Sequence, residues 1–386
     1  MRDGERKGYG YGGIDGVASV FEHGFTGFGG MGLARDHHSV AGVDRLPRQE
    51  RDAEDQADEG AASCGPGAYN DIGLSHINQI TRREAVAGLL AAVPALAAER
   101  PKGPIVETHV HLFSADTKRF PFAPDSPYKA DPLPVEEYVR FATSVGIDRA
   151  VIVSPEPYQD DYRYLEYCFT KEPSPGFFKG VCLLDPAARD TPDRLASLVG
   201  INPGRIVGLR IHEMHAPGTP SRETGPIKDR DLRSPAMKAT WRRAQQLKLL
   251  IEMHFLPYYA TQIGELAEQF PEVPVVLDHL GRVGQGSSED FAAVLKLAKF
   301  PQVYMKYSGA NYSSKDKFPY ADVRPMVRRI YDAFGPDRMV WGYFGHDRAG
   351  FDKEIELFEI MFDHVPEADR EKIRGRNALK LFRWNV

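Results

Sequence analysis

The sequence predicts an α/β protein, a (β/α)8 TIM barrel preceded by a disordered N-terminal extension. Three observations predict it. Strand-like and helix-like segments alternate from Gly103 onward, the alternation gives eight repeats over about 280 residues, and histidines stand at the ends of several predicted strands. An open doubly wound sheet is the alternative, but no Gly-x-Gly-x-x-Gly turn follows any predicted strand.

The predicted strands are short apolar runs that span 105–111, 149–154, 178–184, 206–212, 248–254, 274–279, 302–308 and 338–342. Helical patterns separate most of them, at 134–145, 160–171, 191–199, 235–246, 259–269, 288–299 and 321–334. A last pair of helices, 351–363 and 367–382, follows the eighth strand. Because strands that alternate with helices form βαβ units, we expect a parallel sheet in a barrel that spans 103–386.

The segment before the barrel has a different composition. Residues 1–79 are rich in Gly, Asp, Arg and His and lack a sustained apolar period, which predicts disorder. Residues 80–100 contain Arg82-Arg83 and a short alanine-rich apolar stretch, typical of a twin-arginine signal peptide and too short for a stable membrane span. We therefore expect a periplasmic protein whose translation starts later, near Leu74. The alternative is a helix that caps the barrel of a cytoplasmic protein.

The overall composition excludes some classes of protein. A net charge of -5 and a pI near 6.2 argue against a nucleic-acid-binding protein, which normally has a basic face. Cys64, Cys168 and Cys182 do not have the spacing of a metal site, and an odd number of cysteines argues against a disulfide framework. The sequence leaves the oligomeric state open, a homo-oligomer included.

The histidines are the strongest indication of function. His109 and His111 lie two residues apart on the first predicted strand, so their side chains point to the same face and can bind one metal ion or one anionic substrate. His212, His254 and His279 end the fourth, fifth and sixth strands. Because catalytic residues in parallel barrels come from the C-terminal ends of different strands, this placement predicts a single site.

Other polar residues near the same ends are candidates for binding a small anionic substrate. Arg210 and Arg282 are predicted to bind its anionic group, with His212 and Tyr307 as further contacts. Each arginine could instead form a structural ion pair with a nearby carboxylate. Lys306 is open to a catalytic interpretation and to one as an ion pair inside the barrel. Long loops at 112–128 and 213–233 are expected to wall the pocket.

Several segments together indicate a family. They are Glu107-Thr-His-Val-His111, Gly208-Leu-Arg210, His254, Asp278-His-Leu-Gly-Arg282, Lys306-Tyr-Ser-Gly309 and Arg338-Met-Val-Trp-Gly342. With these segments, the sequence from about Pro104 to Trp384 resembles the amidohydrolase-related proteins, or amidohydrolase family 2, of the amidohydrolase superfamily. The segments around Asp278 and Lys306 are most similar to the branch that contains 2-pyrone-4,6-dicarboxylate lactonase and sugar lactonases.

The resemblance implies a metal-assisted hydrolase. It implies that His109, His111, His254 and His279 hold a divalent metal ion, zinc or manganese, which activates a bound water and polarises the scissile carbonyl. It also implies a general base, an aspartate that follows the eighth strand. Some lactonases of this branch are thought to work without a metal, with histidines that polarise the carbonyl directly.

The sequence departs from the family pattern after the eighth strand. Where the family usually has Gly-Ser-Asp or Gly-Thr-Asp, this chain reads Trp341-Gly-Tyr-Phe-Gly-His-Asp347, with Phe344 at the position of the aspartate. We predict that Asp347 or His346, with His279, manages the catalytic protons. The alternative for Asp347 is that it caps the next helix. Glu107 also stands where the family commonly has an aspartate.

Three functions therefore remain open. The first is a hydrolase that opens a lactone or a similar cyclic ester, with or without a metal ion. The second is a metal-dependent decarboxylase of an aromatic or unsaturated acid. The third is a binding protein that keeps the barrel and the histidines but has lost its general base, since fold alone is a weak guide to function.

Overall fold

Eight parallel strands form one sheet in sequence order, in a computed structural model that describes residues 100–216, 218–219 and 230–384. The strands are β1 Val106–Val110, β2 Arg149–Val153, β3 Phe178–Leu183, β4 Ile206–Glu213, β5 Leu250–Phe255, β6 Val275–Leu277, β7 Val303–Tyr307 and β8 Met339–Trp341. Each strand pairs with the next one in parallel. The predicted barrel is confirmed.

The helices also follow the predicted alternation. They are α1 Val135–Val145, α2 Arg163–Phe169, α3 Thr191–Ile201, α4 Pro235–Gln246, α5 Ala260–Gln269, α6 Ser288–Lys296, α7 Arg324–Phe334, α8 Arg348–Met361, α9 Glu367–Glu371 and α10 Asn377–Leu381. A short π-helical segment, Lys372–Arg376, joins α9 to α10, so the last predicted helix is three connected pieces. No helix in the described part of the chain is long and apolar enough to cross a membrane.

Two predictions fall on residues that the structure does not describe. The disordered extension at 1–79 lies wholly outside the described residues, as does the signal-like segment at 80–100 except for Arg100. Most of the second predicted loop, including 220–229, is also outside them.

The strands are buried on both faces, as is usual where helices cover a parallel sheet. All five residues of β1 and all eight of β4 are buried, so polar side chains in these strands lie within the protein. Trp241 from α4 and Phe358 from α8 are fully buried in the main hydrophobic core. Among the described residues, Cys168 and Cys182 are buried free thiols.

No backbone hydrogen-bond ladder among the described residues pairs β8 with β1. Side chains close the barrel between these two strands instead. The Thr108 hydroxyl donates to the Trp341 carbonyl over 2.7 Å. Glu107 accepts backbone N–H groups from both sides of the seam, from His109 at 2.7 Å, Tyr343 at 2.8 Å and Phe344 at 3.2 Å. Burial raises the pKa of Glu107 to about 7, although the three N–H donors oppose that rise. Glu107 thus ties the loop after β8 to the first strand.

Candidate active site

The C-terminal ends of the strands bring five of the predicted histidines into one continuous group. The ring centroids of His109 and His111 are 5.0 Å apart, and those of His109 and His279 are 4.7 Å apart. His254 lies 5.2 Å from His279 and 4.9 Å from His212 by the same measure. The convergence expected from the positions of these residues at strand ends is therefore present in the barrel.

The hydrogen bonds of His111 assign its tautomer. Its Nδ1 lies 2.7 Å from the carbonyl oxygen of Val153, which can only accept. The Nδ1 atom therefore carries the proton of the neutral ring, and Nε2 keeps its lone pair. Burial, followed by the charge of Arg210, lowers the pKa of His111 to about 4, so the ring is neutral at pH 7.

His212 and His254 form a second histidine pair, which hydrogen bonds join within the pair and to Arg282. The Arg282 Nε–H donates to His254 Nε2 over 3.0 Å, and His254 Nδ1 lies 3.2 Å from His212 Nδ1. Because Arg282 can only donate, His254 carries its proton on Nδ1 and donates it to His212. His212 then has its own proton on Nε2, which lies 3.5 Å from Glu156 Oε1. Both nitrogens of His254 are thus engaged, and its predicted role as a metal ligand would require Arg282 to move.

Glu156 is the negative end of this chain of contacts. Its Oε2 accepts a hydrogen bond from the Tyr128 hydroxyl over 2.9 Å. The residue as a whole is 6% exposed. Burial alone would raise the pKa of Glu156, but the neighbouring His212 and Arg210 lower it to about 2. A permanent negative charge therefore lies behind the second histidine pair.

Two cations and two carboxylates lie at the bottom of the site and are no more than 2% exposed. Arg210 Nε donates to Asp278 Oδ2 over 2.9 Å, and Lys306 Nζ lies 3.0 Å from Asp278 Oδ1. Lys306 also forms an ion pair with Glu252. Burial raises the pKa of Asp278 to about 6, against the effect of Arg210. The formal charges of the four groups cancel, which buried ions require for stability.

A left-handed turn after β6 places two of the site residues. The φ angles of His279, Leu280, Gly281 and Arg282 are +52°, +56°, +61° and +48°. Non-glycine residues rarely adopt such angles, and each costs about 1 kcal/mol or more, so the surrounding contacts must hold the turn. His279 Nδ1 lies 2.9 Å from Ser308 Oγ, and its Nε2 is 3.4 Å from an Arg210 nitrogen. The Arg282 guanidinium lies 4.2 Å above the ring of Tyr312.

Three buried residues could hold a divalent metal ion. His109, Asp278 and His279 each offer a ligand atom, and these atoms lie within 4.8 Å of one another. The cluster includes two of the four predicted ligands and adds Asp278. However, Lys306 Nζ lies 3.2 Å from His109 Nδ1 and 3.0 Å from Asp278 Oδ1. An ammonium in that position competes with a metal ion for Asp278 Oδ1 and for coordination through His109 Nδ1.

Phe344 lies against the first histidine pair, that of His109 and His111, at the position where the sequence resemblance implies an aspartate. Its ring centroid is 5.0 Å from that of His109 and 5.3 Å from that of His111. Its φ angle is +67°, and the two backbone N–H groups that Glu107 accepts hold this part of the loop. An aromatic ring therefore covers the face of the site where the resemblance implies a carboxylate.

The structure places three predicted site residues away from the histidine group. Tyr307 is fully buried on the outer face of β7, with its ring 5.7 Å from Phe358 and 5.0 Å from Phe362. This is a correction to its predicted position at the mouth, because side chains alternate along a strand and its neighbour Lys306 is the one that faces inward. His346 and Asp347 are exposed, and the Asp347 carboxylate accepts the backbone N–H of Gly350 over 2.8 Å as the N-cap of α8. A catalytic role for these two stays a prediction.

The sequence analysis missed two carboxylates of the site, Glu252 and Glu156. Glu252 lies two residues before His254 on β5, and Arg210 and His212 of β4 pair in register with Glu252 and His254. The same two-residue spacing that indicated His109 and His111 would have found Glu252. Glu156 lies shortly after the end of β2, and no histidine at that strand end indicated a site.

Comparisons with known proteins show the family of this chain. The model of the amidohydrolase family matches residues 106–384. A 4-sulfomuconolactone hydrolase from Hydrogenophaga intermedia is 28% identical over 287 residues, which cover 72% of this chain and 88% of that protein. A D-galactarolactone isomerase from Agrobacterium fabrum is 26% identical over 292 residues, with 73% and 92% covered.

A solved structure has the same fold. A probable 2-pyrone-4,6-dicarboxylic acid hydrolase from Acinetobacter baumannii superposes with a TM-score of 0.58 at 20% identity, over 72% of this chain and 99% of that chain.

Proposed function

Because the chain belongs to the amidohydrolase family, we propose that it is a hydrolase that opens a lactone or similar cyclic ester with an anionic group. One observation carries the proposal: neutral histidines with open ring nitrogens lie at the strand ends, in the same group of contacts as a largely buried arginine, Arg282. Two relatives named for lactones, a 4-sulfomuconolactone hydrolase and a D-galactarolactone isomerase, support the choice of substrate class.

The histidines can carry out ester hydrolysis without a further group. A water oxygen attacks the carbonyl carbon, and the carbonyl electrons move to the carbonyl oxygen, where a hydrogen-bond donor stabilises the charge. The lone pair of His111 Nε2 takes the proton of the water. As the tetrahedral intermediate collapses, the ring C–O bond breaks, and the same proton passes to the leaving oxygen. The product is a hydroxy acid.

Arg282 is the proposed binding group for the anionic part of the substrate. Its guanidinium contacts His254 at 3.0 Å and the ring of Tyr312 at 4.2 Å, and no carboxylate of a described residue lies within ion-pair distance. Burial lowers its pKa only to about 10, so it stays charged at pH 7. A buried cation without a carboxylate partner is well suited to a carboxylate or sulfonate of a ligand. Arg210, in contrast, is already paired with Asp278.

The experiment is a panel of lactones, with and without an added carboxylate or sulfonate, assayed for hydroxy acid product. We expect turnover by the wild type, faster for anionic lactones, and near-complete loss in His109→Ala/His111→Ala. The panel is run with and without added zinc, and carbon dioxide release from carboxylated phenols is followed in parallel. Carbon dioxide release without ester hydrolysis would favour a decarboxylase. Binding of a lactone without any turnover would favour a binding protein.

We also propose that the protein is exported. The basis is the sequence alone, with Arg82-Arg83 ahead of an alanine-rich apolar stretch. N-terminal sequencing of the protein from its native cells tests this, because a mature terminus near residue 100 is expected. An intact N-terminus at Met1 in the cytoplasm would contradict it.

A further inference from the structure

Lys306 lies at the centre of the barrel, fully buried, and its Nζ contacts four atoms of the site. Three are oxygens that can only accept: the carboxylate of Glu252, Asp278 Oδ1 at 3.0 Å and the carbonyl of Thr108 at 3.1 Å. The fourth is the Nδ1 atom of His109 at 3.2 Å.

The oxygens around Lys306 favour its charged form. Burial, followed by the charge of Arg210, lowers the pKa of Lys306, and the charge of Glu107 opposes that effect. The carboxylates of Glu252 and Asp278, which both contact Nζ, also favour the charged form. A neutral amine has only two N–H groups for three oxygen acceptors, and an ammonium has three. An ammonium has no lone pair, so it cannot accept a proton from His109. The contact of 3.2 Å therefore requires His109 Nδ1 to be an acceptor, and one of the three N–H groups is shared between it and an oxygen.

A neutral imidazole that accepts at Nδ1 carries its proton on Nε2. The Nε2 atom of His109 is buried and has no hydrogen-bond partner among the described residues. A buried donor without an acceptor is costly, and such a group in a native site points to an acceptor that a ligand supplies. His111, 5.0 Å away between ring centroids, has the opposite tautomer and presents a lone pair at Nε2.

We propose that Lys306 is a positioning residue that fixes His109 as the Nε2–H tautomer, so that His109 donates a hydrogen bond to the substrate's carbonyl oxygen. His109 is thereby unsuited to bind a metal ion through Nε2, since that atom has no free lone pair. The site then polarises the carbonyl with a histidine that Lys306 orients. The role of His109 toward a carbonyl rests on the proposed function, but the tautomer does not.

The first test reads the tautomer without any substrate. The full chain is labelled with ¹⁵N-histidine, and ring correlations between protons and nitrogens are recorded at neutral pH, with His109 assigned from the signals lost in His109→Gln. We expect the Nε2–H form in the wild type. An Nδ1–H form in the wild type would overturn the proposal, because it would mean that Lys306 accepts the proton.

A charge-balanced variant separates the effect of Lys306 from simple misfolding. Lys306→Met alone leaves the buried carboxylate of Glu252 without a cation, whereas Asp278 keeps Arg210, so it is made together with Glu252→Gln. In the double variant we expect His109 to shift to the Nδ1–H form, since Asp278 Oδ1 lies 3.8 Å from that atom and becomes its nearest acceptor. We also expect the double variant to retain more zinc than the wild type after equal exposure, by mass spectrometry. An unchanged tautomer in a folded double variant would overturn the role of Lys306.

The second test concerns the donor itself. His109→Gln keeps an amide N–H near the Nε2 position, whereas His109→Leu keeps the bulk without a donor. We expect His109→Gln to retain at least about tenfold more kcat on lactones than His109→Leu, because one donor to an oxyanion commonly has that effect or more. Equal rates would overturn the contact with the carbonyl. If the wild type opens no lactone, the proposed function fails while the tautomer measurement still decides the role of Lys306.

Discussion

The two histidine pairs of the site differ in how far the protein itself uses their ring nitrogens. In the pair from β1, His109 and His111 each keep an Nε2 atom that no described residue contacts by a hydrogen bond. In the pair from β4 and β5, the Nδ1 atoms face each other at 3.2 Å and His254 also accepts from Arg282. The difference suggests two separate roles for the pairs. The nitrogens of the first pair are open to the reacting atoms, and the second pair holds Arg282, the cation that we propose binds the substrate.

The largest expected effect is on turnover when the first pair is altered. We expect His109→Ala and His111→Ala each to lower kcat by about 100- to 1,000-fold, with little change in KM, because their nitrogens act on the transition state. His254→Ala should instead mainly raise KM. Steady-state kinetics on an anionic lactone measure the split, with His364→Ala, which lies outside the site, as the control. A kcat loss in His254→Ala as large as in His109→Ala would remove the distinction between the pairs.

The next effect is on affinity, when the cation of the second pair is removed. Arg282→Met should raise KM for an anionic lactone by about 10- to 100-fold, since a charge-assisted contact contributes about 1.5–3 kcal/mol. For a neutral lactone of the same ring size, we expect little change. Arg329→Met is the matched control, because Arg329 also lies over an aromatic ring, that of Phe291, outside the site. An equal rise for charged and neutral lactones would show that Arg282 does not bind the anion.

The second pair also predicts a dependence of stability on pH. Burial, then Arg210, lowers the pKa of His212 to about 3, whereas an unfolded histidine has a pKa of about 6.5. Between these values the unfolded state binds the extra proton, so the free energy of unfolding falls as the pH falls below about 6.5. From pH 7.5 to pH 5 we expect His212 to account for a loss of about 2 kcal/mol.

The variant His212→Asn isolates that contribution. It should lower stability at neutral pH but show a shallower decline toward pH 5 than the wild type, in urea unfolding followed at several pH values. The exposed His346→Asn serves as the control for loss of a histidine elsewhere. Parallel pH profiles for His212→Asn and the wild type would contradict the neutral, buried state of this ring.

The smallest expected effect concerns the residue that the sequence analysis assigned to proton transfer. Asp347→Ala should cost about 1 kcal/mol of stability through loss of the N-cap of α8, and kcat should stay within about twofold. Thermal unfolding and lactone kinetics measure both, with Ser287→Ala, which removes the N-cap of α6, as the matched control. A kcat loss of 100-fold in Asp347→Ala would restore its predicted catalytic role.

The sequence was sufficient for the fold because the signals of strands and helices are local. Each predicted strand appears, and the helices α1 to α8 begin and end within a few residues of their predicted bounds. The histidines at strand ends were also found from sequence, since two-residue spacing and strand position define where a side chain points.

The parts of the site that the sequence did not predict depend on contacts between distant segments. The inward face of β7 was not known in advance, so Tyr307 was placed in the site, and Lys306 was left open between a catalytic role and an ion pair inside the barrel. Asp347 follows a loop whose path is fixed by hydrogen bonds that its backbone N–H groups donate to Glu107, more than two hundred residues earlier in the chain. The left-handed turn from His279 to Arg282 has a single glycine to indicate it.

The seam of the barrel has a consequence for anyone who wishes to exchange its loops. Glu107 belongs to the first-strand motif but holds the backbone of Tyr343 and Phe344, and a Cβ on Gly342 would lie only 3.2 Å from a Glu107 oxygen and from the Cβ of His109. The first strand and the loop after the eighth strand must therefore be exchanged together, although they lie at opposite ends of the barrel sequence. A loop grafted alone from a relative with an aspartate at position 107 would meet the longer side chain of Glu107 in place of that aspartate.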